Sequence, residues 1–220
     1  MVIIAQAGAI FGLAYASYKD IKGREIPDTP WVAMGVTGVI LRVVDHQWKM
    51  MAISVGAAVL LGVVLAASNL FGGADIKAFL ALSLLIPTYP GVVLPIFIVS
   101  AFNNLVVLRV TELIAVLFYN MVNGNTYHEL SLGKKILLLM TGFPKKTKEL
   151  DYRFLPLQDT KGDLHLLPDI DVDIEEFKKE CGLEEIWVTY GSPLIVYLLI
   201  GCLIAFAKGD IILYLLMYFV

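Results

Sequence analysis

The sequence predicts an all-α membrane protein: a polytopic bundle of about six transmembrane helices carrying a small, mainly β cytoplasmic insert. Three observations lead there. Hydrophobic residues make up 58% of the 220-residue chain and charged residues 17%, with a mean hydropathy of +0.77. A soluble domain holds about 45–50% apolar and about 25% charged residues, so this excess is large. It is gathered into blocks near membrane-crossing length, and one long polar stretch, 121–187, interrupts them.

A helix needs about 20 apolar residues to cross a bilayer, fewer where the membrane thins around it. Spans are expected near 2–18, 31–45, 50–71, 75–90, 92–110 and 188–208. No basic residue precedes the first, whereas Lys19, Lys22 and Arg24 follow it. That order is the reverse of a secretory signal, and it predicts a retained span with its N-terminus outside. The second is short and ends in Arg42, which is able to snorkel to the surface. Pro87 and Pro90 interrupt the fourth. The stretch after Gly91 exceeds one crossing, so it is expected to leave the membrane near Arg109 and continue as a helix. Arg109 and Glu112 then sit three apart, close enough to pair. Residues 211–220 are apolar but too few to cross alone. They fit a continuation of the last helix, an interfacial segment or a truncated span. The expected division is 1–120 for five membrane helices, 121–187 for the soluble insert, and 188–220 for the last span and its tail.

With the N-terminus outside, Lys19, Lys22, Arg24, Lys77 and Arg109 fall on the inner side, with every basic residue of the 130–180 stretch. Arg42, Lys49 and Lys208 fall outside. This excess of inner Lys and Arg places the insert in the cytoplasm of a multi-pass cell-membrane protein. The net charge of −3 gives no footing for a nucleic-acid partner. Cys181 and Cys202 lack metal-type spacing and read as free thiols.

Within the insert, 136–140, 152–157 and 164–167 are strand candidates. The turn formers of Gln158-Asp159-Thr160-Lys161-Gly162-Asp163 predict a hairpin between the last two. Asp173 is placed to cap a short helix that runs through Cys181 and stops at Gly182. Asp169, Asp171 and Asp173 alternate, with Glu180 following, but Ile174 stands where a calcium loop needs glycine. A solvated strand face is the expected reading, and no metal site is assigned. His128, Glu129 and His165 read as surface residues.

The chemistry concentrates on two acids. Asp20 ends the first span and Asp75 opens the fourth, so an even number of crossings puts both on one membrane face, the cytoplasmic one by the charge distribution. Carboxylates beside hydrocarbon are costly and usually functional. Two that meet share a proton. One can then take a proton from water while the other donates to a peptide carbonyl, with no cofactor. HExxH, GxSxG and clustered Cys/His sets are absent from the sequence. Taken singly, each aspartate fits a helix cap or interface marker better than a catalytic role.

The flanking residues decide between these. Asp20-Ile21-Lys22-Gly23-Arg24-Glu25-Ile26-Pro27-Asp28 and Gly72-Gly73-Ala74-Asp75-Ile76-Lys77 resemble the paired motifs of the GxGD membrane aspartic peptidases. The resemblance is to the type IV prepilin peptidases and their archaeal preflagellin (prearchaellin) relatives. Ala74 replaces the second glycine of the strict motif, and Asp28 stands where the bacterial enzymes often have Asn. The order of spans, Gly142-Phe143, Phe154-Leu155-Pro156-Leu157 and Trp187-Val188-Thr189 leading to Pro193 resemble the preflagellin branch. The cysteine-bearing N-terminal loop of the bacterial methylating enzymes is lacking.

The resemblance implies Asp20 and Asp75 as catalytic residues, water as nucleophile, and removal of a short basic leader from a membrane-embedded preflagellin or type IV pilin-like precursor. The cut falls after a glycine, on the cytoplasmic side of the bilayer. It implies no oligomeric state. Gly72 and Gly73 fit close approach to substrate, a hinge or an ordinary turn. Gly35, Gly38, Gly56 and Gly62 fit helix packing. Lys22, Arg24 and Lys77 read as interface anchors, with Lys22 or Lys77 as alternative electrostatic partners of an aspartate. A transporter or channel using Asp20 and Asp75 as an ion relay is the rival from another class, and a scaffold with structural acids is the third.

Overall fold

A computed structural model of the chain describes residues 1–67, 73–90, 94–127, 130–168 and 172–219. Two compact units emerge: Met1–Arg109 with Pro193–Val220, and Val110–Ser192.

The first unit holds α1 (Val2–Gly23), α2 (Thr29–Asp45), α3 (Trp48–Ala67), α4 (Gly73–Leu85), the opening half of α5 (Phe97–Asn123), and α8 (Leu194–Lys208) with α9 (Ile211–Phe219). Three of these, α1, α3 and α5, are long and apolar enough to cross a membrane. A fourth span results if α8 and α9, bent by 48° at their junction, count as one. Among the described residues the expected six are therefore not confirmed. At a rise of about 1.5 Å per residue, α4 extends only about 20 Å and α2 about 26 Å, short of a hydrocarbon core of about 30 Å. Pro87 lies just beyond the end of α4, at a position where a helix cannot continue unbroken.

Helix α1 packs on α2 and α8, while α4 packs on α2 and α3. The buried face of α1 is Ala5, Ala9, Leu13, Ala16, Ser17 and Asp20. These residues recur at three- and four-residue intervals, so they form one stripe along the helix. Small side chains set the spacing. A Cβ on Gly38 of α2 would come within 2.5 Å of the Leu84 carbonyl on α4, so only glycine allows that approach. Gly62 fits the expected packing role too, facing Ile76, whereas a Cβ on Gly56 would meet nothing within 4 Å. Apolar side chains such as Phe11 (76% exposed) and Leu60 (66%) point outward, as a lipid-facing surface requires.

Arg42 departs from its expected role. Its side chain is buried, with Nη1 donating to Gln47 at 2.9 Å and pairing with Asp45 at 2.8 Å, so its charge is met inside the protein. The 211–220 question resolves into a separate helix after a sharp bend. Asn104 of α5 donates to the carbonyls of Gly201 and Gly209 and accepts from the Ile211 N–H. Asn103 donates to buried Asp210, whose carboxylate caps α9 through the Leu213 N–H.

The second unit is less β-rich than expected. Its sheet has strands β1 (Gly142–Lys146), β2 (Phe154–Pro156) and β3 (Glu185–Tyr190) in the order β1-β3-β2, all antiparallel. Two helices, α6 (Leu132–Thr141) and α7 (Ile174–Glu180), accompany it. The 136–140 strand candidate lies inside α6, because Leu137 to Met140 are strong helix formers without a branched Cβ. The 152–157 candidate narrows to β2. The 164–167 candidate reduces to one bridge, Gln158 to Leu164, around a turn in which the Asp159 N–H donates to the Asp163 carbonyl. Asp173 caps α7, accepting from the N–H groups of Glu175 and Glu176. The last span was expected from 188, but β-branched and aromatic residues put 185–190 into the central strand, and α8 starts only after Pro193. Along β3, Ile186 and Val188 pack with Phe177 on one face, and Trp187 packs with Leu138 and Leu157 on the other. His128, Glu129, Asp169 and Asp171 lie outside the described residues.

Candidate active site

Asp20 is the last member of the buried stripe on α1 and is 7% exposed. Its carboxylate accepts the backbone N–H of Ile195, in the first turn of α8, where unsatisfied peptide N–H groups present partial positive charge. From the other side comes Arg24, with Nη1 3.8 Å from Asp20 Oδ1. Ser17, one turn earlier on the same stripe, has a buried hydroxyl with no hydrogen-bond partner among the described residues. Asp20 is therefore an interior group, held by its own helix end and by the start of α8.

Asp75 lies in the first turn of α4 and is half-buried. An acid there is favoured by the helix dipole. The following residue, Ile76, packs toward Gly62 of α3. Two residues on, Lys77 Nζ lies 2.6 Å from Asp28 Oδ1. Asp28 is the N-cap residue of α2 and the final residue of the first motif. The pair therefore joins the last residue of the first motif to the last residue of the second, at one end of the helices.

The other predicted site residues divide. Lys22 is exposed, with Nζ 5.8 Å from the centre of the Tyr18 ring, and does not reach Asp20. Lys77 serves Asp28. Gly73 begins α4, and a Cβ there would meet nothing within 4 Å, so the backbone is open on that side. Gly72 lies outside the described residues. Three features escaped sequence reasoning: the contact from Arg24, the Asp28–Lys77 pair, and the Ile195 N–H. The first had a signal, since Arg24 stands four residues after Asp20. The other two join positions 49 and 175 residues apart, for which local pattern offers no sign.

Residues 7–128 match the profile of the type IV leader peptidase family, a stretch that includes both aspartates and their flanking motifs. The chain belongs to the type IV leader peptidase family. Among characterised members, it is similar to the preflagellin peptidase of Methanococcus maripaludis (28% identical, over 92% of this chain and 94% of the relative). It is also similar to those of Methanocaldococcus jannaschii (29%, over 92% of each) and Methanococcus voltae (26%, over 96% and 97%). The family profile stops at 128, but these leader-peptidase relatives align along most of the chain, so the likeness includes the sheet of the second unit.

Proposed function

We propose that this leader-peptidase family member is an aspartic endopeptidase that removes the short basic leader from preflagellin- or prepilin-like precursors. Asp20 and Asp75 form its water-activating pair at the cytoplasmic membrane face. The observation that carries this reading is the 2.6 Å Lys77–Asp28 pair, which brings two motifs from separate helices to one end of the bundle. Family membership and the names of the three relatives support the reaction and the substrate class.

In the proposed step the ionised aspartate takes a proton from water, and the water oxygen attacks the scissile carbonyl carbon. The protonated aspartate donates to the carbonyl oxygen, and collapse of the tetrahedral intermediate releases the amine. No cofactor is invoked. A substrate helix lying in the bilayer would present its inner end at the level of these acids. Tyr15 with Lys19 and Tyr18 with Lys22 support that depth, because each lysine lies 5.8 Å from the centre of its tyrosine ring one turn earlier. Tyrosines and snorkelling lysines favour the headgroup boundary.

Two further buried charges, Arg42 and Asp210, are each met by local partners, Asp45 with Gln47 and Asn103. Among the described contacts, these partners do not connect Arg42 or Asp210 to Asp20. The test is incubation of the purified protein with a preflagellin in detergent, followed by sequencing of the new N-terminus. A single cut just before the hydrophobic helix is expected. An uncut precursor, with the protein folded, would refute the proposal.

A further inference from the structure

We propose that Arg24 is a positioning residue for Asp20, a role that rests on Asp20 being one of the two catalytic aspartates. Four cations flank the motifs: Lys19, Lys22, Arg24 and Lys77. Lys19 lies over Tyr15, Lys22 over Tyr18, and Lys77 on Asp28. Among the described residues, Arg24 is the cation at ion-pair distance from Asp20.

The backbone is built to deliver it. Arg24 follows the last residue of α1 and sits at φ 59° and ψ 7°, the left-handed region that non-glycine residues seldom occupy. Its own N–H closes onto the Asp20 carbonyl at 3.2 Å. That reversal stops the helix and turns the guanidinium back over the preceding turn, where it meets the carboxylate at 3.8 Å. The Arg24 side chain is 29% exposed and that of Asp20 only 10%, so the acid is screened less by water than a surface carboxylate. The Ile195 N–H fixes one side of the carboxylate, and Arg24 faces it from another. At 3.8 Å the guanidinium acts through charge and orientation, since the distance is too long for a hydrogen bond. An ammonium at the same place would substitute for it in large part.

The experiment measures initial rates of preflagellin cleavage by the full-length protein in detergent. Arg24→Gly keeps the turn, because glycine accepts positive φ without strain, and it removes the charge. We expect kcat to fall about tenfold or more while KM stays within about twofold, the mark of a group that orients a reacting residue. Arg24→Lys should retain most of the wild-type rate, and millimolar methylguanidinium should restore Arg24→Gly saturably. Should Arg24→Gly fail to fold, Arg24→Asn replaces it, since asparagine also tolerates this backbone region. Lys19→Gln, which loses a neighbouring charge, is expected to cleave at the wild-type rate. Full activity in Arg24→Gly, equal losses in the Gly and Lys variants, or a loss confined to KM would each overturn the proposal. Asp20→Asn in the same assay separates the layers: an active Asp20→Asn sinks the catalytic reading itself, whatever Arg24 does.

Discussion

Asp20 closes a 22-residue helix and is buried by it, whereas Asp75 opens a 13-residue helix and is half-buried. The first carboxylate is fixed by a guanidinium from its own helix end and by a peptide N–H of α8. The second is carried by α4, which is tied to the first motif by an exposed pair, Lys77 to Asp28, with side chains 52% and 63% exposed. Exposed ion pairs contribute about 0–1 kcal/mol. Packing of α4 on α2 and α3 seats the helix that carries Asp75. A site assembled in this way has one acid set into the core and one that depends on how a short helix is seated.

That contrast can be broken in order of expected effect. Under the proposed mechanism, Asp20→Asn and Asp75→Asn should each lower cleavage by about 10²–10⁴-fold or more, with the protein still folded by melting and size-exclusion profiles. A residual rate above a tenth of wild type in either would remove that residue from the pair. Gly38→Ala comes next, because its Cβ would sit 2.5 Å from the α4 backbone at Leu84. It should cost about 1–3 kcal/mol of stability and reduce cleavage through the seating of α4. An unchanged melting temperature would show that α2 and α4 can separate freely.

Breaking the Lys77–Asp28 pair tests the weak tether. Asp28→Asn should lower stability by no more than about 1 kcal/mol, an effect that shrinks further at high salt. A larger, salt-insensitive loss would mean that the pair holds the motifs together more firmly than its exposure implies.

The smallest effect lies in the second unit. Arg153 hydrogen-bonds to Asp151 and holds its carboxyl below the usual carboxylate range. A depressed folded-state pKa stabilises above the unfolded value of about 3.9 and loses that contribution as pH falls through the folded value. Asp151→Asn should therefore melt slightly below wild type at pH 7, with the gap closing as pH falls below the usual carboxylate range. A gap that widens on acidification would reverse the sign.

Much of this was legible in the sequence. The apolar blocks marked where α1, α2, α3 and α4 lie to within about five residues, and the cap at Asp173 followed from its side chain and the acids after it. What failed did so for physical reasons. Residues 136–140 are a short apolar run, and periodicity alone does not separate a buried strand from a helix at that length; residues 188–190 adjoin the apolar block of the last span, which hid their place in β3. Arg42 was placed at a surface, because sequence does not show Asp45 and Gln47 folding back to meet it. The number of spans is not confirmed at six, because hydropathy marks apolar stretches and not where a proline ends a helix. For the candidate site, the two motifs that lie within the family match were readable, while the contacts made by Arg24, Ile195 and Asp28 depend on packing.

The most direct measurement is a structure with an uncleaved precursor bound across the site. The account predicts both carboxylates within about 3 Å of one shared water that faces the scissile carbonyl. Carboxylates held too far apart for a single water to touch both, with the precursor correctly seated, would contradict it.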